Sequence, residues 1–152
     1  MHAIGIEAIS PKPPLSQAHP AHRVSPYWLR GGAITRVHHV WRTASTDIRL
    51  QGGCISWVAV MDWLRRSGLS WAVSIPMDVG VCLEAFEHAR EVAQPAICNS
   101  AQGAQCTSLA CMERLAAAGS QMSMDGRGRA RDNVLVERWW RTVKYAEVSV
   151  KD

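Results

Sequence analysis

The sequence predicts an α/β fold, a mixed sheet with helices on its faces, and three observations predict it. Short apolar or β-branched runs at 46–50, 54–61 and 69–75 follow one another with turn residues between them, which reads as a three-strand meander. Stretches of helical spacing then alternate with short strand runs. A long amphipathic segment after residue 131 closes the pattern. The order is β-β-β-α-β-α-β-α, and such an order stacks helices on a sheet that combines antiparallel and parallel pairs.

Residues 1–8 are apolar and helix-compatible, but Ser10-Pro11-Lys12-Pro13-Pro14 stops regular structure, because proline removes a donor and restricts the residue before it. Residues 9–40 hold five of the seven prolines and four of the six histidines, so this stretch reads as a linker or an extended arm. His19-x-x-His22 and His38-His39 lack a second ligand cluster at matching spacing, and a polar arm describes them better than a metal site. The core unit is then 41–152.

Within it, 54–61 is the most apolar run and the expected central strand, set off by Gly52-Gly53 on one side and 62–68 on the other. Pro76 ends the third strand. Asp78 is placed to cap a helix with Val79, Cys82, Leu83, Phe86 and Ala89 at helical spacing. A short strand at 96–99 precedes Gly103. Thr107 or Ser108 opens a second helix with Leu109, Met112, Leu115 and Ala116 on one side and Gly119 as its stop. Residues 121–124 form a last short strand.

The final helix follows a Gly- and Arg-rich loop, Asp125-Gly126-Arg127-Gly128-Arg129. Asp132 stands where an N-cap would, and Leu135, Val136, Trp139, Trp140 and Val143 make a broad apolar stripe. Glu137 and Lys144 lie seven residues apart, close to two turns, so they share a face about 10 Å apart along the axis. Such a face can hold a metal and a phosphate together, although a solvated charged flank is the plainer reading of Glu137, Arg138, Arg141 and Lys144.

The chain has 152 residues, enough for one domain with a sizeable core. A net charge of +4 makes a polyanion such as nucleic acid a fair partner, which bears on association and not on fold. The cysteines Cys54, Cys82, Cys98, Cys106 and Cys111 are odd in number with no Cys-x-x-Cys pair, so neither a disulfide framework nor a zinc knuckle is indicated. A reducing, cytoplasmic setting is expected. No apolar run reaches the length of a membrane span, and the N-terminus lacks a signal-peptide layout, so no membrane partner is expected.

The wording of several stretches resembles the catalytic core of insertion-sequence transposases of the retroviral-integrase type, whose fold is ribonuclease H-like. The resembling phrases include Gly5-Ile6-Glu7-Ala8-Ile9, Ile34-Thr35-Arg36, Val40-Trp41, Val58-Ala59-Val60-Met61-Asp62-Trp63, Gln102-Gly103 and Ser123-Met124-Asp125-Gly126-Arg127-Gly128. Asp132-Asn133 with Val136-Glu137-Arg138 completes them. The match runs nearly end to end and stops soon after the last helix, so the resemblance implies that 1–40 is the tail of an upstream region plus the Pro- and His-rich linker arm and that 41–152 is a core truncated at its C-terminal end. The resemblance implies DNA transposition and integration, with element ends and target DNA as partners and a homo-oligomer as the working form.

Members of that family hold two divalent metals, magnesium or manganese, on two aspartates and one glutamate, because hard cations prefer oxygen ligands. Carried over by motif, the glutamate is Glu137, and Lys144 matches a basic residue near the DNA phosphate. The first aspartate position, in Trp41-Arg42-Thr43-Ala44, is Ala44. The second, in Asn99-Ser100-Ala101-Gln102-Gly103, is Ala101, with 35 residues between it and Glu137. One carboxylate cannot assemble a two-metal site, so this copy is expected to be catalytically inactive and to bind no metal productively.

Ser45, Asp47 and Cys106 also depart from the family pattern, and polar residues in strands or a lost core aromatic are expected to cost stability. Asp47, Asp62 and Asp78 are the neighbouring acids to weigh as substitutes. Strand alternation turns Asp47 away from Ala44. The alternative role is a non-catalytic nucleic-acid-binding or oligomerising module on the same scaffold, gripping phosphates through Arg127, Arg129, Arg131, Arg138, Arg141 and Lys144. For Trp139 and Trp140, packing on the helix's inner face is expected ahead of base stacking.

Overall fold

In the computed structural model, residues 25–50, 52–75, 78–101, 108–125 and 130–145 are described. Three consecutive strands, β1 (Val40–Leu50), β2 (Gly53–Asp62) and β3 (Ser67–Ser74), pair antiparallel in sequence order. After α1 (Val79–Arg90), β4 (Ile97–Ser100) joins the free side of β1 in parallel, and after α2 (Leu109–Ala117), β5 (Gln121–Met124) joins β4 in parallel. The sheet order is β3-β2-β1-β4-β5, and α3 (Ala130–Val143) comes last. The parallel pairs need crossovers, which is why helices separate β3 from β4 and β4 from β5.

Alternation along the strands divides the core in two. Trp41, Val58, Val60, Ala72 and Cys98 turn to one face and pack against Cys82, Ala85 and Phe86 of α1 and Cys111 and Leu115 of α2. Trp41 meets Phe86 edge to face, with centroids 6.1 Å apart. Ala59 and Met61 turn to the other face, where Val136 and Trp140 of α3 cover them and Ala44, Trp57 and Trp139 pack around. The tryptophans of α3 are thus core residues, as their position in the stripe implied.

Local chemistry fixes the helix ends. Asp78 accepts from the Val81 amide at 3.1 Å and caps α1, and Ser108 accepts from the Cys111 amide at 3.3 Å and caps α2. Gly119 stops α2 with φ +75°, and the amides of Gly119 and Ser120 return to the Ala116 and Leu115 carbonyls, a Schellman end that glycine adopts without a Cβ penalty.

Three expectations need correction. The first strand begins at Val40, six residues before 46, because Val40–Thr43 pair with Ile97–Ser100 and are buried; a buried arginine at 42 hid the strand pattern. The buried row of α2 is Cys111, Leu115 and Ala118, while Leu109 is exposed, because small residues let that row approach α1 and β5. α3 begins at Ala130, so Asp132 lies inside its first turn and not before it. Ser45 and Asp47 on β1 are exposed, and their polarity carries no burial cost. Cys106 lies outside the described residues.

Candidate functional site

The parallel register of β1 with β4 pairs Thr43 with Ser100, and the next residue along each chain is Ala44 and Ala101. Ala44 thus lies on β1, and Ala101 directly follows the end of the neighbouring β4. Above them, Val136 and Trp140 lie one turn apart on α3 and bury themselves on Ala59 and Met61. Glu137 is rotated about 100° from Val136 around the helix axis. That rotation brings it out beside the alanines: Ala44, Ala101 and Glu137 line one cleft of about 420 Å³.

Thr43, Ser45 and Thr46 complete the strand side of the cleft, and Trp140 and Arg141 the helix side. Lys144, in a π-turn continuing α3, donates from Nζ to Thr46 Oγ1 at 2.7 Å and to the Asp47 carbonyl at 3.1 Å, tying the end of α3 to β1 beside the cleft. Arg138 leaves the helix on another side. It lines a separate groove of about 340 Å³ with Met61, Arg66, Leu135, Trp139 and Thr142. Arg138 and Arg141 thus line different openings, although residues three apart are neighbours on a helix surface. Arg127 and Arg129 lie outside the described residues.

At the root of the cleft is an arrangement the sequence reading missed. Arg42, buried on β1, donates from both terminal nitrogens to the buried Asp125 carboxylate, at 3.2 Å for Nη1 to Oδ1, and Asn99 Nδ2 donates to the same Oδ1 at 2.8 Å. The guanidinium also stands 5.1 Å from the centre of the Trp63 ring. A bidentate guanidinium–carboxylate pair with further donors is the geometry in which a buried ion pair repays its desolvation. The available signal was Arg42 itself, between Trp41 and Thr43 in a strand: a buried arginine demands a carboxylate, and Asp125 was the acid at the end of β5.

The acids weighed as substitutes serve elsewhere. Asp47 accepts from Ser56 Oγ at 2.8 Å, Asp78 caps α1, and neither lines the cleft. Asp62 is fully buried and accepts from the His38 amide at 2.6 Å and the Arg65 amide at 2.8 Å, which fixes the turn after β2. His38 Nδ1 accepts the Trp41 indole N–H at 3.2 Å, so this histidine orders the entry to β1. A two-metal centre does not fit this donor set. Among the described residues Glu137 is the cleft's single carboxylate, and no group of three or more His, Cys, Asp or Glu side chains is arranged to hold a metal ion.

No protein-family model and no curated protein sequence matches the chain. Solved structures do. A chain of the simian T-cell lymphotropic virus intasome, in complex with the PP2A regulatory subunit B56 gamma, is similar over 86% of this chain at 18% identity and TM-score 0.65. This chain spans about half, 48%, of that one. The HTLV-2 integrase catalytic core domain, in complex with magnesium in a trimeric form, is similar over 71% of this chain and 68% of its own, at 18% identity and TM-score 0.61. The BIV integrase catalytic core is similar over 70% and 67%, at 11% identity and TM-score 0.57. Among the described residues no helix is long and apolar enough to cross a membrane. With its five-stranded mixed sheet, α1 and α2 on one face and α3 on the other, the chain has the ribonuclease H-like fold of a retroviral integrase catalytic core.

Proposed function

We propose that the chain is the catalytic-core region of a DNA transposase or integrase whose phosphodiester-transfer site has lost two of its three carboxylates, so that this copy holds DNA and does not cut it. The observation that carries the reading is the convergence of Ala44, Ala101 and Glu137, from three separate elements, on one cleft. In this reading Glu137 is the remaining ligand position, and Arg141 and Lys144 are contacts for the DNA backbone. Magnesium accompanies the HTLV-2 neighbour. Here the donor set does not fit two metals, and no metal-dependent step is assigned.

The test is a manganese-dependent nicking and strand-transfer assay on plasmid DNA, run on the protein as given and on the double variant Ala44→Asp plus Ala101→Asp. Arg42 stands two residues before position 44 on the same strand face, but its guanidinium is already engaged by Asp125, which leaves a new carboxylate at 44 available to metal. The expected outcome is silence from the given protein and cleavage by the double variant. Cleavage by the given protein that Glu137→Ala abolishes sinks the inactive-copy reading. A folded double variant that still fails to cut speaks against the assigned aspartate positions.

The same family reading places the working form among homo-oligomers, and the HTLV-2 core itself is described in dimeric and trimeric forms. Sedimentation of the protein with and without duplex DNA tests this, with an increase in assembly size on DNA expected.

A further inference from the structure

On the flank of α3 away from the cleft, positive charge stands with no acid opposite. Arg66 and Arg138 are exposed and line the groove of about 340 Å³ whose other walls are Met61, Leu135, Trp139 and Thr142. Among the described residues neither arginine makes an ion pair. Arg66 is held at φ +57°, a left-handed conformation that costs a residue with a Cβ, in a turn closed by its amide on the Asp62 carbonyl at 2.8 Å. Gly68, two residues on, has no Cβ, and the Trp139 ring lies against it, so the groove opens onto the start of β3.

A second observation is independent of charge. β3 is the edge of the sheet, with β2 on one side and no strand on the other among the described residues. Ser70 and Ala72 turn in toward α1, where Ser70 Oγ donates to the Ala85 carbonyl. Trp71 and Val73 alternate with them and stand opposite Ala59 and Trp57, on the face that α3 covers in part. They are 62% and 50% exposed. An edge strand ordinarily sets polar or charged residues on its open face, because its outer backbone groups are a template for pairing. Here two large apolar side chains lie open beside that template.

We propose that β3 accepts an extended segment of a partner protein as an added strand, its apolar side chains on Trp71 and Val73 and its acidic end in the groove between Arg66 and Arg138. Main-chain hydrogen bonds supply affinity in such pairing, and alternate side chains supply selectivity. Antiparallel addition brings the C-terminal end of the segment to Arg66. A nucleic-acid backbone has no apolar group to cover Trp71 and Val73. A second copy pairing through β3 leaves both arginines unanswered, since Ser67–Ser74 contains no acid. A small anion is poorly held, because three of the six groove residues, Arg66, Arg138 and Thr142, are exposed, whereas ligand pockets bury most of the ligand. The surface stands apart from the Glu137 cleft and holds or fails independently of the function argued above.

The experiment titrates the full chain with a short synthetic peptide in which valines alternate with threonines and whose C-terminal end is a run of aspartates. It is read in a proton–nitrogen correlation spectrum on the β3 amides and on the Trp71 indole N–H, identified by Trp71→Phe. The peptide is expected to shift both and to slow hydrogen exchange along β3. Trp71→Ser, an exposed change that leaves the sheet intact, is expected to weaken binding about tenfold or more. Arg66→Asn keeps a residue that tolerates the left-handed backbone, and is expected to weaken binding about tenfold, the scale of one charge-assisted hydrogen bond.

A Trp71 signal that stays still at millimolar peptide overturns the proposal, as does unchanged binding by Trp71→Ser or Arg66→Asn. Equal binding of the same peptide with lysines in place of its aspartates overturns the acidic assignment. A duplex oligodeoxynucleotide that displaces the peptide from β3 gives the surface to nucleic acid instead. Self-association of the chain alone that Trp71→Ser abolishes gives it to a second copy, and either result overturns the partner segment.

Discussion

Arg42 and Asp125 are both buried, and each is the other's charge partner, so removing one strands the other in a low-dielectric surround. Arg42→Ala is expected to cost about 3–5 kcal/mol in urea unfolding. Replacing both partners by apolar residues of similar volume is expected to cost far less, because no buried charge is then left over. A loss below about 1 kcal/mol for the single variant, within the range of surface pairs, contradicts this account. The pair also explains how β5 reports to the cleft. Asp125 is held by Arg42 from β1 and Asn99 from β4, and its amide donates to the Ser100 carbonyl at 3.0 Å, so the end of β5 is fixed next to Ala101.

Among the elements, α3 decides whether there is a site at all, because Glu137, Trp140 and Arg141 all ride on it. Val136 and Trp140 seat it on Ala59 and Met61, Trp140 meets Trp57 at 5.5 Å and Trp139 at 4.8 Å, and the Trp139 ring approaches Gly68 so closely that a Cβ there would sit 3.0 Å from it. Trp140→Ala leaves a large cavity in this small cluster and is expected to lose about 3–5 kcal/mol. Hydrogen exchange localises the effect. Amides of α3 are expected to lose protection well before those of β1 and β2, since the cluster under α1 and α2 is separate from the one under α3. Uniform loss of protection across the sheet is the result that rejects independent docking of α3.

For the molecule as a whole, the two-sided sheet makes the buried thiols reporters of global stability. Cys54 is exposed on β2, whereas Cys82, Cys98 and Cys111 come from α1, β4 and α2 and line one small cavity beneath Phe86 and Leu115. Labelling followed by peptide mapping is expected to modify Cys54 at once, and the three buried cysteines only at the rate of unfolding, which rises with urea. Rapid native-state labelling at Cys98, in the centre of the sheet, rules out a tightly packed core on that face. The same view disposes of the concern over polar residues in β1: Ser45→Val is expected to change stability by no more than about 0.5 kcal/mol, because the position faces water.

Local patterns made most of the fold legible. Caps at Asp78 and Ser108, the stop at Gly119, the apolar run of β2 and the stripe Val136–Trp139–Trp140 each express a periodicity or a hydrogen bond within a few residues, and these survive in any tertiary context. Motif spacing likewise assigned Ala44, Ala101 and Glu137, which tertiary structure gathers around one cleft. The sequence by itself therefore determined the element order and the fold class, and it singled out three positions that line one cleft. Tertiary structure alone decided the rest: the early start of β1, the ion pair from Arg42 to Asp125 across 83 residues, the different openings lined by Arg138 and Arg141, and the unmet indole of Trp140. Those depend on strand register and on how one helix is rotated over a sheet, and neither quantity is written in the spacing of residues along a single segment.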